Sequence, residues 1–153
     1  MNLPFILAYL GIGGMLALAC TGSAIGVSMG GRATLGALKK NPDMFGSAML
    51  LCALPSTQGL YAFAAFFLML FNGVGDADAL SIAQGAALCA SGLALGFVGL
   101  FSAIQQASVV CNGIVEISNG NDVFGKTLIL AAFPELYAIL AFAASFLVMS
   151  VVL

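Results

Sequence analysis

Four long apolar segments, separated by three short polar breaks, constrain this chain more than any other feature. The first runs from about Pro4 to Leu38 and ends at Lys39-Lys40-Asn41-Pro42-Asp43. The second runs from about Met44 to Asn72 and ends at Gly73-Val74-Gly75-Asp76-Ala77-Asp78. The third covers about Ala79 to Ile117, the break Ser118-Asn119-Gly120-Asn121-Asp122 follows, and the fourth takes the rest. A membrane-crossing helix needs about 20 predominantly apolar residues, so every segment suffices, and the first and third should project beyond the lipid. Lipid cannot satisfy an open backbone, and the period-2 alternation of a membrane barrel is absent, which leaves helices. Only 7% of the residues are charged and 62% are hydrophobic. A water-soluble fold of that composition would expose large apolar patches and aggregate. The expectation is an all-α membrane protein with four transmembrane helices.

Several chemistries are excluded at once. The chain has no histidine, which removes a histidine proton relay or metal site. Cys20, Cys52, Cys89 and Cys111 all lie inside apolar stretches without paired spacing, and read as small buried hydrophobes. No basic stripe exists to bind nucleic acid. Met1-Asn2-Leu3-Pro4-Phe5 has no basic region of the kind that opens a cleaved signal peptide. The basic residues Arg32, Lys39, Lys40 and Lys126 all lie at the end carrying the first and third breaks, whereas the second carries Asp76 and Asp78. An excess of Lys and Arg marks the cytoplasmic side, so both hairpin loops are expected in the cytoplasm and both termini outside.

The two halves repeat. An offset of 79 positions pairs Ser23-Ala24-Ile25 with Ser102-Ala103-Ile104, and Asp43, Phe45 and Gly46 with Asp122, Phe124 and Gly125. It also pairs Pro55 with Pro134, and Ala62-Phe63-Ala64-Ala65 with Ala141-Phe142-Ala143-Ala144. Alanine runs match by composition, but the Asp-x-Phe-Gly after each loop and the matched prolines do not. The reading is a duplicated helical hairpin, residues 1–78 and 79–153, with both copies pointing the same way across the membrane. In the first segment, Gly22-x-x-x-Gly26-x-x-x-Gly30 lines one helical face and invites close backbone packing. Gly92, Gly96 and Gly99 are a milder version in the third.

One acid stands out. Glu135 is the only acidic residue between Lys126 and Leu153, inside Leu130-Ala131-Ala132-Phe133-Pro134-Glu135-Leu136-Tyr137. An ionised group at mid-span costs roughly 2.5–3.5 kcal/mol on insertion scales, so it implies a function. Its counterpart in the first half is Ser56, so two hairpins share one carboxylate. At about 1.5 Å per residue, Glu135 lies about 14 residues past Asn121, Gln106 about 15 before it, and Thr57 and Gln58 about 16 past Asn41. All of them therefore sit roughly 21–25 Å from the loops, at one level of the membrane. Tyr61, one turn beyond Thr57 and Gln58, shares their face and can bond the carboxylate. Gln105 is the other candidate for the inward amide, and Thr57 can instead bond back to its own helix. Pro55 and Pro134 are expected to bend their helices near the site and free the carbonyls of Leu51 and Leu130. A hydroxyl, two amide oxygens and one carboxylate suit a hard monovalent cation, whereas divalent ions usually attract more carboxylates. A proton needs only the acid and some shielding.

Leu54-Pro55-Ser56-Thr57-Gln58-Gly59-Leu60-Tyr61, Gly99-Leu100-Phe101-Ser102-Ala103-Ile104-Gln105-Gln106 and Pro134-Glu135-Leu136-Tyr137 resemble the proteolipid, or subunit K, of bacterial V-type (V/A-type) ATPases. The resemblance covers nearly the whole chain, including the acid lost from the first half. It implies a membrane rotor ring of identical subunits, with the first and third segments inside. It implies Na⁺ bound by Glu135, Gln106, Gln58, Thr57 and the carbonyl of Leu54, with Tyr61 bonding the acid. Proton-carrying relatives lack the Thr-Gln pair, and H⁺ is the alternative cargo. The proline directly before Glu135 departs from the sodium pattern. The implied partners are a stator membrane subunit supplying an arginine, central stalk subunits on the cytoplasmic face, and lipid. No nucleotide is expected on this chain, which would be a non-catalytic, multi-pass subunit of the cell membrane. An independent small transporter is the rival reading, and one acid is sparse for it.

Overall fold

The computed structural model describes residues 2–74 and 80–153. Asp76 and Asp78, which give the second break its acidic character, lie outside the described residues. Helix α1 is Leu3–Ala37, and a short 3-10 turn at Pro42–Met44 leads into α2, Phe45–Ala53. A second 3-10 turn, Leu54–Ser56, joins α2 to α3, Thr57–Met69, which ends in a wider π-turn at Leu70–Val74. Helices α4, Ile82–Ser118, and α5, Phe124–Val152, complete the chain. Among the described residues there are four stretches long and apolar enough to cross a membrane: Leu3–Ala37, Pro42–Asn72, Ile82–Ser118 and Phe124–Val152. This is an all-α, multi-pass membrane protein.

Helices α1 and α4 form the centre, running parallel with their backbones nearly touching. A methyl added at Gly22 would stand 2.5 Å from the Leu100 Cα, and one at Gly92 2.6 Å from the Gly11 carbonyl oxygen. Only glycine allows such an approach, which in lipid supplies dispersion contacts where the hydrophobic effect gives no drive between helices. The glycine face of α1 then turns toward the second span, with Gly26 against Pro55 and Gly30 against Cys52. The tight packing expected of that stripe is present. Helix α5 packs chiefly on α4 and leaves much of its surface open, including Ile129, Phe133, Tyr137 and Leu140.

Contacts at the two ends fix the topology. Lys40 Nζ donates to Asn119 Oδ1 at 3.2 Å, joining positions 79 residues apart, so both hairpin loops lie at one end. At the other end Gln84 Nε2 donates to the Val152 carbonyl at 2.7 Å, and Gly85 lies against Pro4. The Ser81 hydroxyl and the Gln84 side chain form a reciprocal cap that starts α4 there. The two hairpins point the same way. Their internal packing also repeats: Cys52 Sγ reaches the Val27 carbonyl at 3.4 Å, and the counterparts of that pair, Ala131 and Gln106, are hydrogen-bonded as well.

The two prolines behave differently. At Pro55 the second span narrows into a 3-10 turn, with the ring buried against Gly26. Pro134 sits half-buried inside an unbroken α5 and borders an open apolar groove. The expectation that Pro55 frees the Leu51 carbonyl is overturned. That oxygen accepts the Leu54 N–H, because the tighter 3-10 winding brings residue i+3 into reach.

Candidate functional site

The level inferred from residue counts is a real meeting point. Glu135 on α5, Gln106 on α4, and Gln58 and Tyr61 on α3 form one hydrogen-bonded chain. The Tyr61 hydroxyl donates to Glu135 Oε1 at 2.7 Å, and Gln106 Nε2 donates to Glu135 Oε2 at 3.1 Å. Gln106 Nε2 also donates to the Ala131 carbonyl at 3.0 Å, and Gln58 Nε2 donates to Gln106 Oε1 at 2.9 Å. Gln58 and Gln106 are fully buried, and Glu135 and Tyr61 are half-buried. A carboxylate in this position has a donor on each oxygen, which lowers the cost of carrying charge away from water.

Gln106 is placed by helical phase. With Gly99, Ala103 and Val110 it lies on the buried face of α4. Gln105, one residue earlier, is exposed and lines the apolar groove with Phe97, Phe101, Phe133 and Tyr137. Of the two amides, Gln106 is the one that touches the acid.

Leu54 and Thr57 sit at the edge of this network. The Leu54 carbonyl, at the start of the 3-10 turn, accepts both the N–H of Thr57 and its hydroxyl, the latter at 3.1 Å. Thr57 thus bonds back to its own helix, and its Oγ1 also lies 3.4 Å from Gln58 Oε1. Three oxygens from three residues gather there. Oxygens so spaced fit as neighbouring corners around a cation with oxygen distances of about 2.3–2.6 Å, the range taken by the similarly sized Ca²⁺. No cluster of three or more His, Cys, Asp or Glu exists among the described residues. The polar set is therefore dominated by neutral oxygens, with one acid.

One member of the network was missed in the sequence. Ser102 on α4 donates to the Pro134 carbonyl at 2.7 Å and accepts from Gln58 Nε2 at 3.2 Å, tying three helices together beside Glu135. Its repeat partner Ser23 accepts the Gly59 N–H at 2.9 Å. The signal was the matched pair Ser23 and Ser102, which stood in the repeat without being read as polar anchors. All four cysteines are free, and Cys52 serves in helix packing.

A family model for the ATP synthase C-subunit matches the chain twice, over residues 10–69 and 89–148. The chain belongs to this family. The two matched stretches carry the same 79-residue offset as the repeat. Among characterised relatives, the V-type sodium ATPase subunit K of Enterococcus hirae is 41% identical over 126 residues, which is 82% of this chain and 79% of that protein. The A-type ATP synthase subunit K of Methanocaldococcus jannaschii is 36% identical over 136 residues, 89% of this chain and 58% of that protein. Within the family, the subunit K proteolipids are what this chain resembles.

Proposed function

We propose that the chain is the Na⁺-carrying proteolipid of a rotary V-type ATPase, a non-catalytic subunit whose copies form the membrane rotor ring. Hairpins 1–78 and 79–153 contribute two spans each, and the second supplies the acid. The observation that carries this reading is Glu135 itself: one acid at mid-span, flanked by the Tyr61 and Gln106 donors, beside the oxygens of Leu54, Thr57 and Gln58. Na⁺ is bound by Glu135, Gln106, Gln58, Thr57 and the Leu54 carbonyl, and Tyr61 steadies the acid. Binding neutralises Glu135, so the loaded site can face lipid cheaply as the ring turns; an arginine on a stator subunit then displaces the ion. The sodium ATPase relative supports Na⁺ as cargo. The same rotor carrying H⁺ is the alternative, since a proton needs only Glu135 and some shielding. The basic loop end, with Arg32, Lys39, Lys40 and Lys126, faces the cytoplasm and the central stalk.

Carbodiimide labelling in membranes tests the reading. The reagent needs the protonated acid, and bound Na⁺ excludes the proton, so Na⁺ slows modification of Glu135. Labelling that follows pH and ignores Na⁺ assigns the rotor to protons.

A further inference from the structure

The side-chain amide of Gln58 can present either its oxygen or its nitrogen to the Thr57–Leu54 oxygens, and the surrounding hydrogen bonds decide which. The decision starts at two backbone carbonyls of α5 that can only accept. The Ala131 carbonyl takes Gln106 Nε2 at 3.0 Å, which turns Gln106 Oε1 toward α3. The Pro134 carbonyl takes the Ser102 hydroxyl proton at 2.7 Å, which leaves the Ser102 oxygen only as an acceptor. Both acceptors face the same atom: Gln58 Nε2 donates to Gln106 Oε1 at 2.9 Å and to Ser102 Oγ at 3.2 Å. Gln58 Oε1 must then point the other way, to within 3.4 Å of Thr57 Oγ1.

We infer that Ser102 is a positioning residue that gives the site its preference for Na⁺ over H⁺, by fixing the Gln58 amide with its oxygen toward the cation. The inference rests on the reading of Glu135 as a Na⁺ site and assigns the selectivity to a residue that need not touch the ion. A proton on Glu135 uses neither Gln58 Oε1 nor its neighbours, so it is indifferent to the amide's orientation. A cation is not, because a turned amide would offer it N–H donors. Removing the hydroxyl leaves Gln106 Oε1 as the only anchor of the Gln58 nitrogen.

The experiment measures the Na⁺ concentration that half-protects Glu135 from carbodiimide in membranes holding the assembled ring, alongside the labelling rate without Na⁺. With Ser102→Ala, the half-protecting concentration rises roughly threefold to tenfold, the value of about one hydrogen bond, and the Na⁺-free rate stays unchanged. Ser102→Thr keeps the hydroxyl, and the groove beside Ser102 has room for its methyl, so it holds the wild-type midpoint. If Ser102→Ala rings do not assemble, Ser102→Cys, whose sulfur is a weaker acceptor for Gln58 Nε2, must show the same rise. An unchanged midpoint overturns the inference and leaves the Na⁺ reading standing. An equal change in the Na⁺-free rate also overturns it, since Ser102 would then act on the acid in general. Wild-type labelling that ignores Na⁺ overturns both.

Discussion

Replacing Glu135 by glutamine separates its charge from its shape. The carboxylate accepts from Tyr61 at 2.7 Å and from Gln106 Nε2 at 3.1 Å. Gln106 cannot reverse its amide, because the Ala131 carbonyl holds the same nitrogen at 3.0 Å. In Glu135→Gln the new amide must therefore turn its oxygen to Gln106 and its nitrogen to Tyr61, whose hydroxyl can rotate to accept. Both hydrogen bonds survive in neutral form. Bonds to charged groups are worth about 1.5–3 kcal/mol and neutral ones about 0.5–1.5, so each loses about 1 kcal/mol. The desolvation penalty of a buried charge disappears in exchange. Glu135→Ala removes the same charge but strips the Tyr61 hydroxyl of its Glu135 partner, which costs about 1–3 kcal/mol. Ring assembly is read by native electrophoresis of detergent-solubilised membranes, and transport by ATP-driven Na⁺ uptake into vesicles. The expected result for Glu135→Gln is an intact ring with no coupled uptake. A ring that fails to assemble makes Glu135 a structural residue, and surviving uptake shows that another group carries the ion; either would refute the reasoning.

Gln106→Ala removes the donor to Glu135 Oε2 and the acceptor for Gln58 together, so the Na⁺ concentration that half-protects Glu135 should rise roughly tenfold to a hundredfold. An unchanged protection curve would remove Gln106 from the site. Gly22→Ala sets a methyl 2.5 Å from the Leu100 Cα, where only backbone can yield, and should abolish folding of the α1–α4 pair as read by loss of ring and protein level. Gly13→Ala is its control: nothing lies within 4 Å, and the better helix former should be neutral or stabilising by up to about 1 kcal/mol.

Much of the site was legible because a helix has a fixed rise. Counting residues from the loops brought Gln58, Gln106 and Glu135 to one level, and the structure joins them at 2.9 and 3.1 Å. The choice between Gln105 and Gln106 stayed open in the sequence, and the structure resolves it by burying Gln106 and exposing Gln105. The glycine stripe was legible because small residues at a four-residue spacing have few uses in lipid besides close packing. Ser102 was not, since a serine in a membrane helix commonly bonds its own backbone, and nothing local shows which carbonyl it will find. The 3-10 turn at Leu54–Ser56 was also hidden. A proline indicates a lost donor, but not whether the helix tightens, as at Pro55, or runs on, as at Pro134.

The unequal duplication reaches beyond the acid. Ser56 stands where the second half has Glu135 and bonds its own helix, at Ala53, with a 2.6 Å hydrogen bond. Val27 stands where the second half has Gln106, and the Leu54, Thr57, Gln58 and Tyr61 positions correspond to Phe133, Leu136, Tyr137 and Leu140. The first half has thus lost its donor set along with its carboxylate, and Ser56→Glu alone would create an unpaired acid in lipid. The Cys52 thiol meets the Val27 carbonyl where the Gln106 amide meets the Ala131 carbonyl, so both halves bring these positions together, and Ser56→Glu with Val27→Gln restores one of the two donors that Glu135 has. The consequence is one of gearing. With one Glu135 per four helices, a ring of given circumference moves about half the ions per turn of one built from single hairpins with an acid each. Each ion must then absorb twice the share of a fixed ATP free energy, and since an ion crossing 100 mV takes about 2.3 kcal/mol, the attainable gradient is steeper. Such a ring suits pumping better than synthesis. If the double variant binds a second ion, measured as a second Na⁺-protected carboxylate, ions moved per ATP should rise and the limiting gradient in vesicles should fall. A limiting gradient that stays fixed while the second site is occupied would break the link between the single acid and the gearing.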